Sequence, residues 1–187
     1  MKKIIVSPLL LATLLFGTAC ESNKTKDPTE VAEETNEKKF DDRKAEDDSE
    51  FLVDAASGGL FEVELGNLAV KNASSPKVKE FGQTMAMDHS KANEELKTLA
   101  SKKNVTIPTA PGEDYQKKIN ELSQKKGAEF DKAYMKTMVD DHEDDIEEFQ
   151  EAFNKGNDVE IKAFAQGKVP ILQHHLEMAR AIYETIK

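Results

Sequence analysis

Three of the four histidines in this 187-residue chain lie on apolar stripes that have helical spacing. They are His89, His142 and His175, each in a different segment, and Glu62 lies on a fourth stripe. Imidazole nitrogens suit Zn, Cu, Fe or Ni, so the four side chains are candidate metal ligands. They could equally form a buried cluster without a metal, since a carboxylate among imidazoles satisfies its own hydrogen bonds. The sequence leaves both interpretations open.

Each of these histidines has a methionine three or four residues away on the same helical face. The methionines are Met85, Met138 and Met178. A thioether beside an imidazole favours copper, particularly Cu(I). Methionine at helical spacing also commonly fills a core. The three methionines are therefore weaker candidates, as soft neighbours of a metal that would be Cu, Zn or Fe.

Sequence motifs for catalysis are missing. The chain has no Glu-x-x-His, which would place two ligands of a di-iron site on one helix face. It also has no nucleophile elbow, phosphate-binding loop or dinucleotide fingerprint. The acidic run 140–145 lacks the glycine turn of a calcium-binding loop and falls within a helical period, which predicts a solvated face. We expect no enzyme activity.

Apolar residues at intervals of three or four predict the helices that carry these side chains. The expected helices cover residues 50–72, 76–103, 114–126, 128–154 and 158–187, the last of them interrupted around Gly167 and Pro170. Short turns join the first two and the last two long helices, and the segment between the pairs is long enough to cross the bundle. This pattern predicts an all-α fold, a ferritin-like four-helix bundle whose long crossover contains a short helix.

Positions along these helices place the polar side chains at similar depths. The interval from Pro76 to His89 is nearly equal to the interval from Phe130 to His142. At a rise of about 1.5 Å per residue, the two imidazoles fall within one turn of each other. Glu62 belongs to the same layer. His175 is about one turn too deep unless the interruption in its helix shortens the path.

The N-terminus has the pattern of a bacterial lipoprotein signal. Two lysines precede a short apolar run, and Gly17-Thr18-Ala19 leads to Cys20, the only cysteine. We predict a signal peptide over residues 1–19 and acylation of Cys20, which would anchor the chain to a membrane. An ordinary signal peptide cut near Ala19 is the alternative. Both kinds of signal peptide predict an exported protein that lies in the periplasm or faces the cell surface. Neither specifies the inner or the outer membrane.

Composition constrains the remainder of the chain. Residues 21–50 hold twelve acidic and six basic residues with few apolar ones, which predicts that 20–50 is a disordered tether and that 51–187 is the folded domain. The whole chain has a formal charge of −10. This charge would repel phosphate backbones, so nucleic-acid binding is not expected.

The region from Phe51 onward resembles a bacterial family of exported proteins named domain of unknown function 4142. The resemblance rests on four segments: F-L-V-D-A-A-S-G-G-L-F-E-V-E-L-G-N-L-A from Phe51, F-G-Q-T-M-A-M-D-H-S-K-A-N from Phe81, F-D-K-A-Y-M-K-T-M-V-D-D-H from Phe130 and P-I-L-Q-H-H-L from Pro170. It implies a ferritin-like fold and a cell-envelope setting. It also implies that the signature positions are Glu62, Asp88, His89, Asp141, His142 and His175.

Two hypotheses about function follow from these observations. In the first, an envelope lipoprotein binds a transition metal through Glu62 and the three histidines. In the second, the chain is a structural or interaction module whose buried Glu and His residues fix the helix register. The two hypotheses differ in whether the protein binds metal in a fixed stoichiometry.

Overall fold

The computed structural model describes residues 26–187, so the predicted signal peptide and Cys20 lie outside the described residues. The described part is helical, without strands. Its helices are α1 (Pro28–Glu37), α2 (Arg43–Asn72), α3 (Pro76–Lys102), α4 (Glu113–Ser123), α5 (Gly127–Lys155) and α6 (Val159–Ile186). None of these helices is both long enough and apolar enough to span a bilayer.

The four long helices form two hairpins, α2 with α3 and α5 with α6. The turn that starts α3 lies against the start of α5, where the carboxylate of Asp131 accepts the backbone N–H groups of Ser74 and Ser75 at 3.0 and 2.9 Å. At the opposite end, Lys103 after α3 contacts Asp158 before α6 at 2.5 Å. Helices α3 and α5 therefore run in the same direction, and the segment containing α4 crosses the bundle. The predicted all-α bundle is confirmed.

The expectation of a disordered tether over 20–50 is wrong for residues 28–50. Residues 28–37 form α1, and α2 begins at Arg43 rather than near residue 50. Ala32 and Asn36 of α1 are buried, and the Asn36 amide exchanges two hydrogen bonds, of 2.7 and 2.8 Å, with the backbone of Thr106. Side-chain hydrogen bonds to a distant loop therefore order a segment that has few apolar residues.

The expected interruption of the last helix is also wrong. Helix α6 continues through Gly167 and Pro170. Proline removes one hydrogen bond inside a helix, but residues on both sides of it, Ala165 and Leu172, are buried against the other helices and hold the segment in place.

His175 reaches the predicted layer without an interruption in its helix. Helices α5 and α6 are antiparallel, so depth is counted back from the end of α5 and forward from the start of α6. The interval from His142 to Lys155 and the interval from Val159 to His175 differ by less than one helical turn. Both side chains lean toward the N-termini of their own helices, which brings these two depths together.

Two apolar layers enclose the polar centre. One contains Phe61, Leu65, Phe81, Met85, Phe130, Tyr134 and Met138. The other contains Phe51, Leu52, Leu96, Phe149, Ile161 and Leu172. The predicted polar residues lie where these layers meet, so any charge they carry is remote from bulk water.

Glycines permit α2 and α3 to pack closely. A Cβ atom added at Gly66 would lie 2.5 Å from the carbonyl oxygen of Gly82, whereas one added at Gly58 would make ordinary contacts. Gly66 and Gly82 thus bring the two backbones together one turn below Glu62.

Candidate metal centre

The three imidazoles meet at the centre of the bundle, one each from α3, α5 and α6. His89, His142 and His175 are 7%, 0% and 1% exposed. Their ring centroids form a nearly equilateral triangle with sides of 5.7, 5.4 and 5.5 Å. One ring nitrogen from each can be chosen so that all three lie within 4.8 Å of one another. The structure therefore brings together the three histidines that the sequence singled out.

Glu62 on α2 lies beside this triangle and is 2% exposed. Its Oε2 atom is 2.5 Å from Nδ1 of His89, and its Oε1 atom is 3.4 Å from Nε2 of His142. The first contact is a short hydrogen bond in which the ring N–H donates to the carboxylate. The other nitrogen of His89 then carries the lone pair.

Asp88 supports the third histidine. Its Oδ2 atom lies 3.1 Å from Nε2 of His175. Asp88 precedes His89 by one residue and so points to the neighbouring helix rather than to His89, as expected from its place off the apolar stripe. A hydrogen bond from Nε2 of His175 leaves Nδ1 of that ring as the acceptor. Sequence reasoning did not assign Asp88 this role, because the pairing needs α3 and α6 side by side.

Four imidazole nitrogens at the centre have no hydrogen-bond partner among residues 26–187. They are His89 Nε2, His142 Nδ1, His142 Nε2 and His175 Nδ1. A buried polar atom left unpaired costs about 1–3 kcal/mol. Imidazoles whose second nitrogen is held by a carboxylate, as in His89 and His175, are the usual form of metal-ligating histidines. The donor set fits a transition metal.

Burial also controls the protonation of these groups. It lowers the pKa of His142 to about 4, and the nearby imidazoles act in the same direction. Burial likewise lowers the pKa of His175, with His89 adding to the effect and Asp88 opposing it. For Glu62, burial opposes ionisation, but the attraction of His89 and His142 outweighs it and lowers the pKa of the carboxyl group. Neutral imidazoles are the form that binds a metal ion, and the lowered pKa values of His142 and His175 favour that form.

The methionines line one side of the centre. Met85 and Met138 are wholly buried members of the apolar layer that includes Phe81, and Met178 packs against the same layer. Their packing is that of core residues, and their role as soft neighbours of a metal stays a prediction.

A cleft between α3 and α6 leads from solvent to the centre. Its volume is about 430 Å³, and Glu62, His89 and His175 lie at its inner end. Its walls are largely apolar, from Leu96, Phe149, Phe164, Ile171 and Leu172. The exposed His174 also lines the cleft, as expected for a rim residue. The cleft gives an ion or a small molecule a path to the open face of the triangle.

The acidic run 140–145 is only partly the solvated face that its sequence predicts. Asp140, Glu143 and Asp144 are exposed, but Asp141 and Asp145 face α2. Burial raises the pKa of both inward carboxyl groups well above the usual range, and Glu62 adds to the effect. Asp141, Asp145 and Glu148 have the spacing of residues on one helix face, beside the apolar stripe that contains His142. The sequence analysis missed this spacing.

The family model described as "Domain of unknown function (DUF4142)" matches residues 33–182. The chain belongs to this family. The matched region includes Glu62, Asp88 and all three central histidines, and it begins inside α1, in agreement with the ordered N-terminal helix. No protein of curated function matches the sequence significantly.

A similar solved structure is the "putative secreted protein DUF305" from Streptomyces coelicolor, with a TM-score of 0.61 and 12% sequence identity. The similarity covers 71% of this chain and 88% of that one. At this identity the likeness concerns the fold alone, and it agrees with a helical bundle.

Proposed function

We propose that this DUF4142 protein is a metal-binding protein of the bacterial cell envelope, which holds one transition-metal ion between His89, His142 and His175. The observation that carries the proposal is the triangle of buried imidazoles: one nitrogen of each ring lies within 4.8 Å of the other two, and four of the six ring nitrogens lack a hydrogen-bond partner within residues 26–187. A purely structural cluster would be expected to satisfy those atoms.

The chemistry of the site indicates the class of metal. Three neutral imidazoles suit Zn, Cu or Fe, and Glu62 and Asp88 orient two of the rings through their hydrogen bonds. Three protein ligands leave a fourth position open. The cleft ends at this position and supplies a route for exchange of the ion. We propose binding or buffering rather than catalysis, since no group in the sequence forms a recognised catalytic motif.

The N-terminal sequence supports the cellular setting. The apolar run before Cys20 is that of an exported lipoprotein, and the chain would be tethered to a membrane by acyl groups on that cysteine. The description of the structural relative from Streptomyces coelicolor as a secreted protein is compatible with export. A net charge of −10 disfavours nucleic acid as a partner.

Elemental mass spectrometry of the full chain, purified from the envelope without an affinity tag, tests this function. The wild-type protein should hold at least one equivalent of Zn, Cu or Fe, and His89→Ala/His175→Ala should hold one equivalent less. His174→Ala is the matched control, because it removes an exposed imidazole from the rim, and it should keep the wild-type content. Absence of metal in the wild type, together with no uptake of Zn(II) or Cu(I), would leave the cluster as a structural one.

A further inference from the structure

A second group of candidate ligands adjoins the imidazole triangle. It consists of Glu62 from α2 with Asp141, His142 and Asp145 from α5, and one ligand atom from each lies within 4.8 Å of the others. Only His142 belongs to both groups, although Glu62 also hydrogen-bonds to His89. The three carboxylates give this group a donor set of mainly oxygen, unlike the nitrogen set of the triangle.

These carboxylates lack basic partners. Within residues 26–187 the ion pairs of Glu62 are with imidazoles only, and neither Asp141 nor Asp145 pairs with a lysine or arginine. Several atoms in the group are buried without a hydrogen bond: Glu62 Oε1, Asp141 Oδ2 and both nitrogens of His142. His142 is 0% exposed, so a fully buried and unpartnered side chain adjoins the acids.

The ionised form of these acids is costly without a counter-charge, because burial disfavours it and raises the pKa of Asp141 and Asp145. Carboxylates in an apolar surrounding lose several kcal/mol of hydration unless they are paired or coordinate a metal. The two apolar layers lie on either side of this region, while Glu62 and Asp145 also line the cleft. A divalent cation would supply the missing positive charge and the missing partners at once.

We propose that Glu62, Asp141 and Asp145 bind a second divalent cation, of the oxygen-preferring class that includes Mn²⁺. Carboxylate oxygens suit Mn²⁺ and Mg²⁺ better than the softer metals that imidazoles select. Glu62 and His142 border both sites, so the two cations lie next to each other and form a mixed pair. This inference goes beyond the proposed function, since Asp141 and Asp145 take no part in the imidazole site.

Titration of the metal-free full chain with Mn²⁺, followed by the electron paramagnetic resonance of the free ion, tests the second site. The wild type should bind one equivalent, and Asp141→Asn/Asp145→Asn should bind it at least tenfold more weakly. Asn preserves the shape of Asp and has no charge to bury, so the double variant should stay folded, as measured by circular dichroism.

Two controls separate this site from the first. Asp140→Asn/Asp144→Asn removes the same charge from the exposed face of the same helix and should bind Mn²⁺ like the wild type. His175→Gln alters only the imidazole site and should also keep Mn²⁺. If Mn²⁺ fails to bind the wild type, or binds all four proteins equally, the acid site is overturned. If His175→Gln and Asp141→Asn/Asp145→Asn both lose Mn²⁺, the two groups form a single site, which also overturns the proposal.

These outcomes are distinguishable from failure of the proposed function. Loss of Zn or Cu binding on His89→Ala/His175→Ala supports the imidazole site whatever Mn²⁺ does. Retention of Mn²⁺ binding with no uptake of Zn or Cu would support the acid site and contradict the imidazole site.

Discussion

At the scale of single residues, carboxylates decide which nitrogen each imidazole presents. Glu62 holds Nδ1 of His89, and Asp88 holds Nε2 of His175. The remaining nitrogen of each of these two rings is left as the acceptor. These contacts give the ligands a fixed tautomer before any metal arrives, which reduces the cost of ordering them on binding.

Replacement of Asp88 by Asn should weaken metal binding without removing it. The variant takes away the negative charge that favours a proton on Nε2 of His175, so we expect the affinity for Zn(II) to fall by about 10–100-fold. Competition with a chromophoric chelator measures this change. Glu94→Gln, an exposed carboxylate on the same helix, is the control and should leave the affinity unchanged. If Asp88→Asn and Glu94→Gln bound Zn(II) with equal affinity, the hydrogen bond from His175 to Asp88 would not support metal binding.

The histidines could be predicted from sequence because they interrupt apolar stripes, where a polar residue is unusual. Glu62 was found in the same way. The inward direction of Asp141 and Asp145 was missed although their spacing with Glu148 places them on one helix face, because exposed acids occupy the positions around them. Their direction depends on α2 lying beside α5, which no local pattern reports.

At the scale of elements, the backbones of α2 and α3 approach closely and so place Glu62 opposite His89. Gly66 and Gly82 allow this approach, because a Cβ atom at either would lie within 3 Å of the other helix's backbone. The sequence predicted the helices and their pairing from apolar spacing. Gly59 also faces α3, where an added Cβ atom would meet the side chain of Asn93.

Substitution of two glycines by alanine should therefore have opposite effects. Gly66→Ala forces α2 and α3 apart, and overpacking of this kind costs about 1–3 kcal/mol of unfolding free energy. Gly167→Ala in α6 meets nothing within 4 Å, so it should stabilise the protein by up to about 1 kcal/mol through helix propensity. Urea denaturation of the metal-free variants measures both. A stable Gly66→Ala protein would contradict the close approach.

At the scale of the whole molecule, a buried carboxylate joins the two hairpins at each end of the bundle. Asp131 of α5 accepts two backbone N–H groups in the turn before α3. Asp48 of α2 does the same for Asn157 and Asp158 before α6, at 2.8 and 2.7 Å. Residues 28–50 belong to this assembly, and sequence reasoning excluded them because polar contacts, rather than apolar spacing, hold them in place.

The contribution of Glu148 to stability should fall as pH rises from about 5 to 8 in the absence of metal, whereas the lowered pKa values of His142 and His175 act in the opposite direction. Burial and the nearby Asp54 raise the pKa of Glu148 from 4.5 to about 7. At this carboxyl group the folded state thus binds more protons than the unfolded state in this interval, so its deprotonation favours unfolding. After allowance for its partial exposure, Glu148 contributes about 1–2 kcal/mol to the change.

Thermal unfolding as a function of pH checks this prediction, with Glu148→Gln as the test variant. Gln cannot ionise, so the variant should lose less stability than the wild type between pH 5 and 8. The pKa values of Asp141 and Asp145 are raised in the same way. The stability of the variant should therefore still depend on pH. Identical pH profiles for the two proteins would contradict the raised pKa of Glu148.

X-ray absorption spectroscopy of the chain loaded with one equivalent of Zn(II) tests the central claim most directly. We expect three imidazole ligands with Zn–N distances of about 2.0–2.1 Å, together with one oxygen donor from solvent at the fourth position. The imidazole scattering should decrease in His175→Gln. A first shell of oxygen donors without imidazole, or a spectrum of hydrated zinc, would contradict the assignment of the triangle as a metal centre.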